Sequence, residues 1–276
     1  MLKQRIITAL ILAPLALCGV FLLEPEPFSY FVAAILVLAG WEWANLAGWQ
    51  SQISRVAYAV VIGAAVLFIL PLVSETLVLT LSAIWWGIAT VFIITYPASA
   101  SVWRSTYVRL LIGILILLPM WKALVFLRGA NFTLVDDLNI LWLILYVLLV
   151  VWAADTGAYF AGRAFGNKKL APKVSPGKSW AGAWGGLAAT IVLAFIGGSL
   201  LGLDHISLVI FALVTLLVAS ISIIGDLTES MFKRQRGIKD SSNLLPGHGG
   251  VLDRIDSLVA AIPVFIFSLH LLGWIA

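Results

Sequence analysis

Cysteine is nearly missing from this 276-residue chain. Cys18 is the single one and lies inside an apolar run, which excludes a disulfide framework and a cysteine-ligated metal centre. Charge is scarce as well, at 11% of residues, and histidine occurs three times. Strict apolar–polar alternation is absent, which argues against a membrane β-barrel. Low-complexity tracts, flexible linkers and any stretch polar enough for a soluble domain are lacking too. With 62% apolar residues and a mean hydropathy of +1.08, a soluble two-domain protein is excluded on composition.

What is present is a succession of apolar runs of the length a bilayer requires, about nine in all, near 6–23, 29–48, 56–73, 77–96, 107–127, 138–162, 180–202, 206–231 and 255–274. The expected fold is an all-α polytopic integral membrane protein with about nine transmembrane helices. Lys3 and Arg5 precede the first run as in a secretion signal. No small-x-small cleavage site follows, however, and Leu17 is too large for a lipoprotein box at Cys18, so the run is expected to stay as a span. Prolines at 25, 27, 71, 97, 176, 246 and 263 fall mostly at or near span ends, where a missing N–H costs least.

Nine spans put the N-terminus on the same side as the loops that hold Arg55, Arg104, Arg109, Arg163, Lys168, Lys169, Lys173, Lys178, Lys233, Arg234, Arg236 and Lys239, with Arg254 opening the last span. Only Lys122 and Arg128 fall elsewhere, and the opposite connections carry Glu24, Glu26, Glu75, Asp136, Asp137 and Asp204. The positive-inside rule then places the N-terminus in the cytoplasm and the C-terminus outside. Trp41, Trp43, Trp49, Trp103, Trp152, Trp180 and Trp274 suit interfacial anchoring, some of them packing instead. The chain divides into a charge-poor region, 1–137, of five spans and a charged region, 138–276, of four spans with two substrate loops. Glu42, between Trp41 and Trp43, stands out in the first region and is expected to be a structural glutamate bonded to a neighbouring helix.

In the second region the charges gather at one level. Asp155 lies towards one end of span six, Asp226 and Glu229 towards the same end of span eight, and Asp253 and Asp256 open span nine. Both pairs are spaced i, i+3, so each projects from one helix face. Two explanations stay open at this point: carboxylates neutralising bundle cations while basic groups touch anionic lipid, or carboxylates binding Mg²⁺ while basic groups hold phosphates. Glycine favours the second. Gly247-His248-Gly249-Gly250 leads into the start of span nine, where free amides and the helix dipole suit an anion. The stretch from Arg236 to Gly250 is expected to form a mobile cover. A sister loop runs from Asp155 to Ser179, repeating the Asp226-to-Arg234 spacing in Asp155-to-Arg163, and ends in Gly177-Lys178-Ser179. Pro172 stands where a P-loop needs glycine and no strand is expected ahead of it, so this is not a Walker motif, though Lys178 and Ser179 can still meet phosphate at a helix start.

These residues carry a resemblance. Ser230, Lys233-Arg234, Lys239-Asp240, Pro246, His248-Gly249-Gly250 and Asp253-Arg254-Ile255-Asp256 resemble the signature of the phosphatidate cytidylyltransferase (CDP-diacylglycerol synthase) family. Ser175-Pro176-x-Lys178-Ser179 and Asp155-x-x-Ala158-Tyr159 resemble its upstream motifs. The resemblance is strong over about 150–257 and weak in the first five spans. It implies a nucleotidyltransferase of phospholipid biosynthesis that joins CTP to phosphatidic acid, giving CDP-diacylglycerol and pyrophosphate. It also implies Mg²⁺, with a second metal or monovalent ion left open, and a site on the cytoplasmic side of a bacterial inner membrane. No nucleic acid is involved, and a homodimer is left open. Carried over by residue, Asp226 and Asp253 are the leading metal ligands, with Asp256, Glu229 and Asp155 beside them. Lys233, Arg234, Lys239 and His248 complete the catalytic set. Ser175, Lys178, Ser179, Tyr159, Ser230, Asp240, Gly249, Gly250 and Arg254 form the substrate-binding set. Two alternatives share the composition. A CTP-dependent isoprenoid-alcohol kinase differs in its products, and an ion-coupled transporter would spread its charges through the membrane depth.

Overall fold

The computed structural model describes residues 2–135 and 138–275, so Asp136 and Asp137, expected on the outer side, lie outside the described residues. The long helices follow the apolar runs: α1 (Leu2–Leu22), α2 (Pro25–Ala47), α3 (Gln52–Ala64), α4 (Glu75–Thr95), α5 (Thr106–Gly129), α6 (Leu141–Phe165), α7 (Trp180–Leu200) and α8 (His205–Arg236). The short α9 (Leu252–Ile255) leads into α10 (Leu258–Leu271). A π turn, Ala65–Ile69, and a 3₁₀ turn, Leu70–Leu72, prolong α3. Among the described residues, eight helical segments are long and apolar enough to cross a membrane, against the nine expected. The run expected at 6–23 lies on α1, of which the stretch Leu10–Leu22 is apolar among the described side chains.

The helix starts are set by local chemistry. Pro25 opens α2, Ser74 accepts the Leu77 amide ahead of α4, and Asp204 accepts the Ile206 and Ser207 amides ahead of α8. Pro14, Pro119 and Pro263 lie inside helices; for Pro263 this corrects the span-end placement expected from sequence. The largest boundary error falls on α8, expected to stop near 231 and found to run to Arg236. Its extra turns bury Phe232 and Lys233, and the basic Lys233, Arg234 and Arg236 oppose the negative end of the helix dipole. A two-stranded antiparallel hairpin, β1 (Lys169–Ala171) and β2 (Ser175–Ser179), was not expected. It gives the sister loop a structure unlike that of the second loop, where a single Leu245–Gly249 bridge closes the chain.

One continuous apolar core joins both halves of the chain, with α10 packed against α4, α5, α6 and α8. Phe232 lies 5.0 Å from Trp43 and 4.6 Å from Trp103, ring to ring, so α2 and the α4–α5 connection are braced against the end of α8. Trp43, Trp103 and Trp274 are therefore packing residues, while Trp152 and Trp180 are exposed. The α6–α7 seam is built from small residues. A methyl group on Gly157 would stand 2.5 Å from the Gly185 carbonyl, so only glycine permits this approach. Leu22, Ile53, Leu72, Ile94, Leu200 and Ile206 point outward, the apolar exterior that a lipid-solvated bundle requires. The two basic residues away from the charged end are both tied down. Lys122 pairs with Glu75 at 3.8 Å, and Arg128 donates to the Val20 and Leu23 carbonyls.

Candidate active site

The end of α8 brings Asp226, Glu229 and Lys233 onto one face, opposite Asp253 and Asp256 from α9 and the turn after it. Lys233 Nζ donates to Glu229 Oε2 at 2.9 Å and to Asp253 Oδ1 at 2.7 Å, and all three side chains are buried. Glu229 Oε1 is also buried and has no hydrogen-bond partner. Asp226 is half-buried; its Oδ2 meets Lys178 Nζ at 2.8 Å and its Oδ1 accepts from Ser230 Oγ at 3.2 Å. Asp256 accepts the Ser257 amide and stands within electrostatic reach of Glu229, Asp226 and Lys178. Asp155 is exposed, within reach of Asp226, Lys178 and Arg254. The five carboxylates thus do share one level. They are not a ready metal cage: among the described residues, no group of three or more His, Cys, Asp or Glu is arranged to hold a metal ion.

The Gly-rich loop corrects a sequence expectation. The amides at the start of α9 do not stand open for phosphate, because two carboxylates of the chain itself fill them. Asp253 Oδ2 accepts the Gly250 amide at 2.7 Å, the Ser241 amide at 2.9 Å and Ser241 Oγ at 2.9 Å. Glu42 accepts the Val251 amide at 2.9 Å, the Leu252 amide at 2.6 Å and the hydroxyls of Ser241 and Ser242. The glycines permit this closure, since a side chain on Gly250 would collide with Ser241 Oγ and Glu42 Oε1, and one on Gly249 would sit 2.6 Å from Asp253 Oδ2. The loop is therefore pinned at its middle rather than a mobile cover. Ser241 is fully buried, Asn45 Nδ2 donates to its carbonyl at 3.3 Å, and Thr8 Oγ1 donates to Pro246 O at 2.9 Å. Glu42 was expected to bond a neighbouring helix; its partners are the loop and the α9 start.

Two hollows flank the carboxylates. A groove of about 480 Å³ between α6 and the β2–α7 junction is lined by Asp155, Tyr159, Arg163, Gly177, Lys178 and Ser179. Here Arg163 donates to the Tyr159 hydroxyl at 3.1 Å, and Ser179 accepts the Gly182 amide as the cap of α7. Ser175, half-buried, begins the strand that delivers Lys178. A second hollow, about 630 Å³, is lined by Lys239, Asp240, His248, Gly249 and Arg254. His248 is fixed by its amide to Leu245 O at 2.9 Å, and its Nδ1 is buried with no partner. Arg234 is exposed at the rim and donates to Val174 O at 3.2 Å, joining α8 to the hairpin.

The model of the cytidylyltransferase family matches residues 3–272. The chain belongs to the cytidylyltransferase family. It is 53% identical over 276 residues to a phosphatidate cytidylyltransferase of Pseudomonas aeruginosa, covering 99% of each chain. It is 43% identical to one of Haemophilus influenzae, over 97% of this chain and 98% of the relative. A phosphatidate cytidylyltransferase of Bacillus subtilis is 43% identical over 128 residues, 46% of this chain. The likeness therefore reaches through the first five spans, where the sequence motifs alone suggested it was weak. That reach has a structural counterpart in this cytidylyltransferase. Glu42, Asn45 and Ser241 build the site without belonging to the recognised motifs. Glu42 stands out in the sequence only by its charge in an apolar span, and Ser241-Ser242-Asn243 lies within the 236–250 stretch with no signal of its own.

Proposed function

We propose that this chain is a membrane-embedded phosphatidate cytidylyltransferase, an enzyme that converts CTP and phosphatidic acid to CDP-diacylglycerol and pyrophosphate at the cytoplasmic face of a bacterial inner membrane. One observation carries the reading: a carboxylate–lysine cluster stands between two hollows, one mostly apolar and beside exposed aromatic residues, the other among the basic loop. Tyr159, Phe160 and Trp180 are exposed around the α6–α7 groove, so acyl chains can stay in the bilayer while the phosphate meets Lys178 and Arg163. Lys239 and Arg254 in the other hollow suit the triphosphate of CTP.

In the reaction, an oxygen of the lipid phosphate attacks the α-phosphorus of CTP, and the bond from that phosphorus to the departing pyrophosphate breaks. Two anions must meet, so the residues that matter most are those that offset charge. Lys178 lies on the groove side of Asp226 and is placed to follow the lipid phosphate; Lys239 and Arg254 hold the leaving pyrophosphate. Ser230 orients Asp226 through its hydroxyl. Mg²⁺ fits the donor set: Asp226 already holds a cationic ammonium at 2.8 Å, and Glu229 keeps a buried oxygen without a partner. Asp226 with one neighbouring carboxylate, Asp256 or Glu229, would hold it, since one or two carboxylates plus substrate phosphates are the usual Mg²⁺ donors. When bound, it supplies charge neutralisation for the phosphates. Asp253 has its lone pairs engaged by Lys233, Ser241 and Gly250, which favours a positioning role for it over direct ligation.

The test is product identity. Purified protein given labelled CTP, phosphatidic acid and Mg²⁺ should release pyrophosphate and place the cytidine label in lipid. Label that never enters lipid, with phosphate transferred to an isoprenoid alcohol instead, would refute the reading in favour of a lipid kinase.

A further inference from the structure

A third hollow, about 400 Å³, lies between the α2–α3 corner and residues 238–243. Trp41, Asn45 and Arg55 line it from the first half of the chain, and Ser242 and Asn243 from the loop. Lys239, Asp240 and Asn243 line both this hollow and the basic one assigned to the triphosphate. A ligand whose phosphates lie beside Lys239 and Arg254 can therefore extend its other end into this hollow. Resting on the CTP-dependent reading above, we propose that this third hollow is the nucleoside subsite, with Arg55 and Asn243 reading the cytosine edge and Asp240 receiving the ribose hydroxyls.

Arg55 is built for such a role. It is 8% exposed. Its Nε donates to the Trp41 carbonyl at 3.2 Å, and its guanidinium carbon stands 3.5 Å from the centre of the Trp41 ring. The plane is thus fixed from two directions, yet Nη2 is buried with no partner in the protein. A buried donor left unpaired is costly, and a ligand acceptor removes that cost. Cytosine presents O2 and N3 as adjacent acceptors and its exocyclic amine as a donor. Guanidinium N–H groups match the first two, and the side-chain oxygen of Asn243 or Ser242 matches the amine. Uracil would turn an N–H towards those same donors. Asp240 and Asn243, which stand where the two hollows meet, offer oxygens that can accept from ribose hydroxyls and the cytosine amine.

The experiment is steady-state kinetics on the full-length protein in mixed micelles with phosphatidic acid and Mg²⁺, varying CTP, UTP and dCTP. Arg55→Lys and Asn243→Ala should each raise the KM for CTP by about 10-fold or more, with the KM for phosphatidic acid changed by less than about twofold. The preference for CTP over UTP in kcat/KM should fall in both variants, and Asp240→Ala should narrow the gap between CTP and dCTP. Product inhibition by pyrophosphate, which occupies the neighbouring hollow, should be unchanged in Arg55→Lys, since Arg55 lines the third hollow and not that one. Asn243 is exposed, so its variant keeps the test alive if Arg55→Lys fails to fold. An unchanged KM for CTP in Asn243→Ala overturns the subsite, and so does an equal rise in both KM values, which would mark a merely structural effect. Absence of CTP turnover in the unaltered protein would instead overturn the functional reading and the subsite with it.

Discussion

Asp253 and Asp226 belong to the same cluster, yet their removal should have different consequences. Asp253 is buried, with its side chain 4% exposed, and its two oxygens accept four hydrogen bonds, from Lys233, Gly250 and twice from Ser241. Asn at this position has one acceptor oxygen and an NH₂. Whichever way the amide turns, the NH₂ faces either the Lys233 ammonium or the converging Ser241 and Gly250 donors. Breaking one partner of a buried pair costs about 3–5 kcal/mol, because the other charge is left uncompensated. Asp226 and Lys178 are 29% and 27% exposed, and an accessible pair of this kind is worth about 0–1 kcal/mol. Asp253→Asn should therefore lower unfolding stability by about 3–5 kcal/mol, with activity lost along with the loop. Asp226→Asn should lose turnover with stability within about 1 kcal/mol of the unaltered protein. Reversible unfolding in mixed micelles, alongside turnover per folded molecule, separates the two. A fully stable Asp253→Asn, or an Asp226→Asn that unfolds as readily, would refute this division of labour.

Three further outcomes follow from the same geometry. Glu42→Gln removes a charge that accepts two amides and two hydroxyls, and should cost about 1.5–3 kcal/mol while raising proteolytic cleavage within 238–250. Gly250→Ala should destabilise by about 1–3 kcal/mol, since the methyl group meets Ser241 Oγ and Glu42 Oε1; unfolding titrations read it, and a neutral effect would show that the clamp can move. At the far end of α8, the Ser207 hydroxyl and the Ser207 and Ile206 amides hold the Asp204 carboxyl below its ordinary value of 3.8. Its capping contribution is present above that ordinary value and is lost as pH falls through the lower folded one. Asp204→Ala should remove this acid limb from a stability–pH curve.

Much of this protein is legible one residue at a time. A bilayer imposes hydropathy locally, so the runs that became α2 to α10 could be found without knowing what they touch, and the crowding of charge at one end of the bundle followed from the same reading. The limits are equally physical. The start of α9 has open amides by any local rule, and whether they receive a substrate phosphate or a side chain depends on what the fold delivers there. The fold delivers Glu42, whose bond to the Leu252 amide spans 210 positions of sequence. The resemblance puts Lys233 in the catalytic set without saying what it touches. Helix α8, running on to Arg236, turns it inward between Glu229 and Asp253, where an ammonium has two carboxylates to neutralise. Sequence by itself determined that this is a helical membrane protein with one charged surface, because solvation by lipid acts on each residue separately. Tertiary structure alone decided which carboxylates are engaged and which face the hollows, because hydrogen-bond partners are chosen by three-dimensional proximity.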